Sequence, residues 1–294
     1  MVFSQADSGT DADAIRRWVQ TAEAAGFGHV LAYDHVLGAS ADRLGAGPFG
    51  AFAAPPYTNE HVFHEILTLF AHLAAVTTRI EFVTSVLVLP QRQTALVAKQ
   101  IATLDLLSDG RICPAVGVGW NAAEYDGLGV DFAARTRLLE EQIDVLKMLW
   151  GQPLVDFAGE FHHLDGVGIN PVPTRRIPIF IGSGAAEPVL HRVARKADGW
   201  MPLLVPGLDA VPFRDAVGRL REICDELGRD PATLPIHGRV YLGDGWQAAV
   251  TEAVELGVAK LSIGFNRLAE PGVAHERHLE AVLAAKPELD ALTG

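Results

Sequence analysis

The sequence predicts a (β/α)8 barrel with an inserted hairpin and long βα loops, and three observations support this fold class. First, residues 81–120 read as a βαβ unit, in which an apolar run (EFVTSVLVL) precedes a helical pattern and a second apolar run. Second, both runs are apolar on both faces, which is typical of a buried parallel sheet. Third, about eight strands alternate with about eight helices along 294 residues, which favours a barrel over a doubly wound sheet.

The first half of the chain contains the first four predicted strands. Asp11 is a suitable N-cap for the first helix and Gly26 a suitable end, because Asp accepts hydrogen bonds from free amides and Gly adopts left-handed backbone. The long loop 36–58 is expected to be functional, since structureless loops of this length are uncommon in compact domains. In order, the elements are a short strand at Val2 and Phe3, a helix at 11–26, a strand at 29–33, a helix from Asn59, a strand at 80–89, a helix at 94–107 and a strand at 112–118.

The second half continues the alternation after one insertion. A helix at 135–150 is followed by a hairpin at 155–173 with Gly159 in its turn. We expect one domain covering residues 1–294. The later elements are strands at 177–181, 199–204, 235–242 and 259–263, and helices at 187–196, 213–227, 246–256 and 275–285.

Composition excludes several classes of protein. The chain has 24 Lys and Arg against 36 Asp and Glu, a net charge of −12, which argues against nucleic acid or an anionic membrane as a partner. No apolar run approaches the length of a membrane span and the N-terminal residues lack a signal-peptide pattern, so we expect a cytoplasmic setting. Cys113 and Cys224 are expected to be free, buried thiols.

The active site of such a barrel lies at the C-terminal ends of the strands. Asp34 and His35 end the second strand there, and a histidine in this position can act as a general acid or base near neutral pH. A histidine that anchors the loop through backbone hydrogen bonds is an equally weighted alternative. If the two side chains meet, Asp34 would favour the imidazolium form of His35.

Two glycine-rich segments follow strands. Residues 117–122 (GVGWNA) match a dinucleotide fingerprint formally, but residues 125–130 are expected to stay in a loop, so this segment is interpreted as a cofactor-facing loop. Gly182, Ser183 and Gly184 follow a strand and precede a helix, where backbone amides and the helix dipole favour an anion. A plain βα turn is the alternative there.

Other polar motifs are given structural interpretations. His61 and His64 lie in HVFHE, which does not match a zinc motif, so no metal site is expected. The turn at 108–111 (SDGR) is interpreted as a helix end with Gly110 in a left-handed conformation. His162 and His163 are interpreted as a cover over the hairpin.

Several segments together resemble the luciferase-like monooxygenase superfamily, and more narrowly its branch that uses the deazaflavin coenzyme F420. They cover about two thirds of the chain in the same order as in the family. The matching segments are AEAAGFGHVLAYDHV at 22–36, the block at 81–120 with its continuation GVGWNAAEY, INPVPTRRIPIFIGSG at 169–184, and ARKADGW at 194–200.

The resemblance implies a (β/α)8 barrel with a flavin-like ring across the strand ends. His35 would lie beside the reactive carbon of the ring, with Asp34 supporting it or contacting the cofactor. The peptide bond between Ser85 and Val86 would be cis and would support the ring face. Asn121 would contact the ring or its side chain, and Gly182, Ser183 and Gly184 would hold the phosphate.

The resemblance also implies the activity. We expect a coenzyme F420-dependent oxidoreductase that acts on a small molecule, and a homodimer that pairs through the helices after Asn59 or Thr94. Trp120 stands where sugar-phosphate dehydrogenases of this branch place a glutamate, so glucose-6-phosphate oxidation is not expected. Trp120 and the loop residues Phe49, Phe52 and Tyr57 suggest an apolar or aromatic substrate pocket, although core or lid packing explains them equally well.

Two alternatives stay open. An FMN-dependent monooxygenase supplied by a separate reductase shares almost every motif. A non-catalytic flavin-binding barrel is the second alternative, because the first strand is shorter than is usual in the family.

Overall fold

The computed structural model describes residues 1–45, 56–202, 211–265 and 275–294. Short 3-10 helices occupy Gln5–Asp7, Leu89–Gln91 and Pro231–Thr233. The strands are β1 His29–Ala32, β2 Glu81–Thr84, β3 Leu87–Val88, β4 Ile112–Cys113, β5 Ala115–Gly117, β6 Val155–Ala158, β7 His163–Val167, β8 Phe180–Ser183, β9 Gly199–Pro202, β10 His237–Leu242 and β11 Lys260–Phe265. The helices are α1 Ala12–Ala24, α2 Ala41–Leu44, α3 Ile66–Ala74, α4 Thr94–Leu107, α5 Ala122–Leu128, α6 Arg135–Gly151, α7 Glu187–Lys196, α8 Phe213–Glu226, α9 Trp246–Glu255 and α10 His275–Thr293.

The parallel strands pair into a ring. β1 pairs with β2 and β2 with β4, while β3, β5, β8 and β9 pair in that order and β10 pairs with β11. Trp200 N donates to Pro235 O at 2.9 Å and connects β9 to β10. Val2 N donates to Ile263 O at 2.8 Å, and Phe3 N to Leu31 O at 2.8 Å, so the first strand lies between β11 and β1. The predicted (β/α)8 barrel is therefore confirmed.

Two of the barrel strands are interrupted where the sequence predicts continuous runs. The third position is divided into β2 and β3 at Ser85 and Val86, whose peptide bond is cis. The fourth is divided into β4 and β5 at Pro114, which has no N–H to donate to a ladder. The division at Ser85 and Val86 follows the C-terminal end of β2.

The core lies between the strands and the surrounding helices. α1 buries Ile15, Trp18, Val19 and Ala22 at helical spacing, and Asp11 caps it by accepting from the amides of Asp13 and Ala14. These residues pack in one large cluster with strand residues such as Val30, Phe82 and Val116. Removal of this apolar surface from water provides the main driving force for the fold.

The inserted hairpin is confirmed. β6 and β7 are antiparallel, and Gly159 N donates to His162 O at 2.9 Å in the connecting turn. His162 is not a loose cover, because Nδ1 lies 2.7 Å from Glu141 Oε1 of α6 and Nε2 lies 2.5 Å from Thr94 Oγ1 of α4. This contact fixes the hairpin against the barrel.

Several predicted boundaries are wrong. The helix expected from Asn59 begins at Ile66, because the Glu65 side chain caps it by accepting from Thr68 N at 2.7 Å. The segment 125–130, expected as a loop, contains most of α5. The fifth barrel strand extends through Ser183, since Gly182 and Ser183 pair with Met201 and Pro202 of β9.

Other expectations are met in the part of the chain that the structure describes. Cys113 and Cys224 are free and buried. Gly110 has φ of +77°, as expected for a left-handed helix end, and Asp109 is also left-handed at +58°. No described helix is long and apolar enough to cross a membrane. The strand predicted at 199–204 is observed to Pro202, and its last two residues lie outside the described residues.

Candidate active site at the C-terminal ends of the strands

His35 lies at the mouth of the barrel against a carboxylate that sequence reasoning missed. Its Nδ1 lies 3.3 Å from Oε2 of Glu124, which belongs to α5. The His35 side chain is 16% exposed and that of Glu124 only 2%. Within the described residues Nε2 of His35 has no hydrogen-bond partner, so it is free to meet a ligand.

Besides its contact with His35, the Glu124 carboxylate accepts three hydrogen bonds. Val36 N and Leu37 N donate to its Oε1 at 2.8 and 3.1 Å, and the Tyr57 hydroxyl donates to Oε2 at 2.8 Å. Burial opposes its ionisation, but the hydrogen bonds from His35, the backbone and Tyr57 together keep the pKa of Glu124 below its ordinary value. Glu124 is therefore an ionised partner of His35 at neutral pH.

Tyr57 contacts both members of the His35–Glu124 pair, and Asn121 contacts Tyr57. The buried Asn121 side chain caps α5 by accepting from Ala123 N at 3.0 Å, and its Nδ2 donates to the Tyr57 hydroxyl at 2.7 Å. The Tyr57 ring lies 3.7 Å from the His35 ring, centre to centre, and burial and the Glu124 charge raise the pKa of Tyr57. Asn121 thus contacts Tyr57 and α5, not the open mouth.

Asp34 does not contact His35. Its carboxylate accepts from Arg92 Nη2 at 2.7 Å, from Arg92 Nε at 3.2 Å and from Val88 N at 3.0 Å. Arg92 also donates to Glu65 Oε1 at 2.9 Å. The expectation that Asp34 supports His35 is therefore corrected: Glu124 occupies that place, and Asp34 ties the end of β1 to β3.

The strand-three bulge and the glycines pack together. The peptide bond Ser85–Val86 is cis, as the resemblance predicts. A Cβ on Gly117 would lie 2.6 Å from Val86 Cγ2, and one on Gly182 would overlap Val86 Cγ1. Glycine is needed at both positions because the Val86 side chain occupies that space. Val86 is partly exposed at the mouth.

The predicted phosphate cradle leads into α7. Gly182 and Ser183 end β8, and Ser183 Oγ accepts from Trp200 Nε1 at 3.1 Å. Gly184 is exposed, with nothing within 4 Å of where a Cβ would stand. The first turn of α7 contains Glu187, whose charge pairs with Arg219 at 2.5 Å. The cradle therefore lies at a helix start beside Val86.

The remaining predicted site residues have other surroundings. His61 Nδ1 accepts from Thr58 N at 3.0 Å, and His64 Nε2 lies 3.0 Å from Gly9 O. In the ranges described, no group of three or more metal-ligating side chains is found. Trp120 lies 5.6 Å from the Tyr57 ring. Phe49 and Phe52 lie outside the described residues.

The opposite end of the barrel has a different polar cluster. Ser262 Oγ lies 2.7 Å from His29 Nε2 and 2.9 Å from His237 Nε2, and the two imidazole Nε2 atoms are 3.2 Å apart. Burial lowers the pKa of His237 to about 3 and that of His29 well below its ordinary value. An open cavity of about 230 Å³ adjoins this end, lined by residues that include Phe27, His29 and Lys286.

Similarity to known proteins identifies the family. Residues 2–291 match the family model described as luciferase-like monooxygenase, and the chain belongs to this family. An uncharacterized protein of Mycobacterium tuberculosis is 33% identical over 275 residues, which cover 90% of both chains. The pyrimidine monooxygenase RutA of Acinetobacter baylyi is 33% identical over 177 residues, which cover 58% of this chain and 47% of RutA.

A solved structure supports the fold. The F420-dependent secondary alcohol dehydrogenase in complex with an F420–acetone adduct superposes with a TM-score of 0.64 at 21% identity. The match covers 87% of this chain and 72% of that one. Identity at this level establishes a shared architecture and leaves cofactor and substrate to be argued from the site.

Proposed function

We propose that this protein is a coenzyme F420-dependent oxidoreductase that transfers a hydride between the deazaflavin and a small organic substrate. The observation that carries the proposal is the meeting of three elements at one mouth. His35 follows β1, Asp34 beside it bonds to Val88 of β3, and Val86 rests on Gly117 and Gly182. When bound, the deazaflavin supplies a ring carbon that accepts or donates the hydride. We propose one domain across residues 1–294.

His35 is proposed to move the proton that accompanies the hydride. The contact of Nδ1 with Glu124 favours the tautomer with hydrogen on Nδ1, which leaves a lone pair on Nε2. Nε2 then accepts a substrate proton, and the ionised Glu124 stabilises the resulting imidazolium. Glu124 is a positioning residue, since the cofactor and substrate contact His35.

The residues present fit a flat ring with an anionic tail. Val86 and the cis bond form a raised support, and Gly182, Ser183 and Gly184 leave space beside it. Because Ser183 Oγ accepts from Trp200, its own proton is available to a phosphate oxygen. The pairing of Glu187 with Arg219 reduces the repulsion that Glu187 would exert there.

The substrate is proposed to be apolar or aromatic. The wall around His35 is formed by Tyr57, Phe63 and Trp120, and the Phe63 ring lies 4.9 Å from His35. These rings exclude water and present apolar faces.

An FMN-dependent monooxygenase with a separate reductase is the second candidate. The similarity to RutA, which is named a pyrimidine monooxygenase, favours it. Both candidates use the same support and the same histidine, and they differ in the cofactor that binds.

We further propose a cytoplasmic homodimer. α4, one of the two helices expected as candidate interfaces, exposes Leu96 and Leu107, which are 52% and 78% exposed. Large exposed apolar side chains on one helix are typical of a contact surface.

Binding measurements with coenzyme F420 and with FMN test the proposal. F420 quenching with micromolar affinity, and FMN binding at least about tenfold weaker, are expected. Gly182→Ala should weaken F420 binding by about tenfold because its Cβ displaces Val86, whereas Gly218→Ala in α8, with open space around it and outside the proposed site, is the matched control. Micromolar FMN affinity without F420 binding would replace the first candidate by the second. Binding without turnover would indicate a non-catalytic barrel.

A further inference from the structure

A charged side chain crosses the barrel at the floor of its mouth. Arg239 lies in β10, and its Nη1 donates a hydrogen bond to Ser85 Oγ at 3.1 Å. β10 is the seventh strand position of the ring, and Ser85 follows the third, on the opposite side. The Arg239 side chain therefore spans the interior and reaches the bulge at Ser85 and Val86.

The pleat of β10 places Arg239 inside the barrel. His237, Arg239 and Tyr241 share one face of the strand, because side chains alternate. His237 reaches His29 of β1, which is not adjacent to β10, so this face is the interior one. Along the barrel axis, Arg239 lies between His237 and Tyr241. His237 belongs to the base cluster, formed by His29, His237 and Ser262 at the end opposite the mouth, and Tyr241 is nearer the mouth.

Two tyrosines border the guanidinium. The hydroxyls of Tyr33 and Tyr241 lie 2.6 Å apart. The guanidinium carbon of Arg239 lies 5.7 Å from the centre of the Tyr33 ring and 5.4 Å from that of Tyr241. The ring faces attract the cation, and the Tyr33 side chain also hydrogen-bonds to it. All three side chains belong to residues that are partly exposed at the mouth.

Arg239 differs from other interior arginines in lacking an acidic partner. Arg92 pairs with Asp34 at 2.7 Å and Arg175 with Asp105 at 2.6 Å. No carboxylate in the described ranges lies within 4 Å of Arg239, whose hydrogen-bond partners there are the hydroxyls of Ser85 and Tyr33. A guanidinium has five N–H donors, so most of them remain available. An interior cation without a counter-charge is costly and is typical of a binding site.

We propose that Arg239, with Ser85, Tyr33 and Tyr241, forms a subsite for a planar, delocalised oxyanion. The guanidinium fork matches two oxygens, or an oxygen and a nitrogen, that share one negative charge. Two sources have this chemistry: a carboxylate on the substrate, and the deprotonated N–C=O edge of a reduced cofactor ring. The second source rests on the proposed function, whereas the first needs only an accessible mouth.

Benzoate binding to the cofactor-free protein tests the carboxylate source. Loss of a charge-assisted pair should weaken benzoate binding by about tenfold or more in Arg239→Met, with a smaller loss in Arg239→Lys, which keeps the charge but not the fork. Arg137→Met, which removes an exposed arginine on α6, should leave the affinity unchanged. Calorimetry at constant ionic strength measures the affinity.

FMN titrations test the ring source. The ratio of the dissociation constants for oxidised and reduced FMN should fall by about tenfold in Arg239→Met if the cation prefers the anionic reduced ring. A changed ratio supports this source, and a changed benzoate affinity supports the other.

Unchanged values for both ligands in a folded Arg239→Met protein would overturn the subsite. If that variant fails to fold, Arg239→Lys decides, since affinities equal to those of the unaltered protein would exclude a role for the fork. Failure of the unaltered protein to bind FMN and F420 would contradict the proposed function, and the benzoate measurement would still decide the subsite.

Discussion

The two ends of β1 carry histidines in opposite environments. His35, after the strand, has an ionised carboxylate beside Nδ1 and, among the described residues, no hydrogen-bond partner at Nε2. His29, at its start, shares Ser262 with His237 in the base, where burial lowers the pKa of both histidines. The same side chain is therefore prepared for proton transfer at one end and kept neutral at the other.

The two ends differ in the groups that surround the imidazole. At the mouth, two backbone amides and the Tyr57 hydroxyl donate to Glu124, so an ionised carboxylate lies beside His35. At the base, a second histidine and a hydroxyl are the near partners, and a proton would be taken up without a counter-charge. Barrels of this class separate chemistry from stability in the same way along the axis.

The largest expected effect is on turnover. His35→Gln should lower kcat by about 100-fold to 10,000-fold, because it removes the general acid or base, while the cofactor dissociation constant stays within about threefold. His237→Asn should leave kcat nearly unchanged. Stopped-flow oxidation of reduced F420 by a panel of ketones, and reduction of oxidised F420 by the corresponding alcohols, measures the rate in each direction. Full turnover in His35→Gln would contradict the functional difference between the two ends.

The next effect concerns the ion pair that ties β1 to β3. Asp34→Asn should destabilise the protein by about 3 kcal/mol, because Arg92 is left buried with one carboxylate instead of two. Glu160→Gln, which breaks the exposed pair with Arg137, is the control and should cost less than about 1 kcal/mol. Urea unfolding measures both. Equal losses would contradict the role of the buried Asp34–Arg92 pair in holding β1 to β3.

The third effect is the loss of stability in acid that is expected from the histidines at the base of the barrel, and it grows as the pH falls. The folded-state pKa of His237 is about 3, below its unfolded value near 6.5, so the unfolded chain binds the proton first as pH falls. Stability should be full above about pH 6.5 and decrease by about 1.4 kcal/mol per pH unit below it for each such histidine. Melting temperatures between pH 7.5 and 4.5 measure the slope.

A matched variant identifies the source of that slope. His237→Asn removes one titrating group and should flatten the acid decrease, whereas His35→Gln should not. An unchanged slope in His237→Asn would exclude the base cluster as its origin.

Much of the fold was predictable because the signals are local. Apolar runs, Asp11 as a cap and Gly110 as a helix end each depend on a few neighbouring residues. The two wrong predictions of helices also have local causes. α5 was missed because Gly127 weakens its propensity, and it forms where Gly127 packs closely against Leu37. The helix expected from Asn59 begins at Ile66, because the polar capping groups come from Glu65.

The candidate site was predictable in part. The position of His35 and the cis bond at Ser85 and Val86 followed from the strand ends and the family resemblance. The nearest acid in sequence, Asp34, was the natural partner to expect for His35, but adjacent residues on an extended chain point in opposite directions. Glu124 was detectable only as an acid three residues after Asn121, next to a glycine-rich segment, which is a weak signal.

By itself, the sequence determined the alternation of strands and helices, the family and the strand end that carries His35. Periodicity and motifs specify these features because they act over a few residues. The tertiary structure alone decided that Glu124, 89 residues away, accompanies His35, that Asp34 belongs to Arg92, and that Arg239 reaches Ser85 across the interior. Such pairings depend on the closure of the strands into a ring, which brings distant positions within hydrogen-bonding distance.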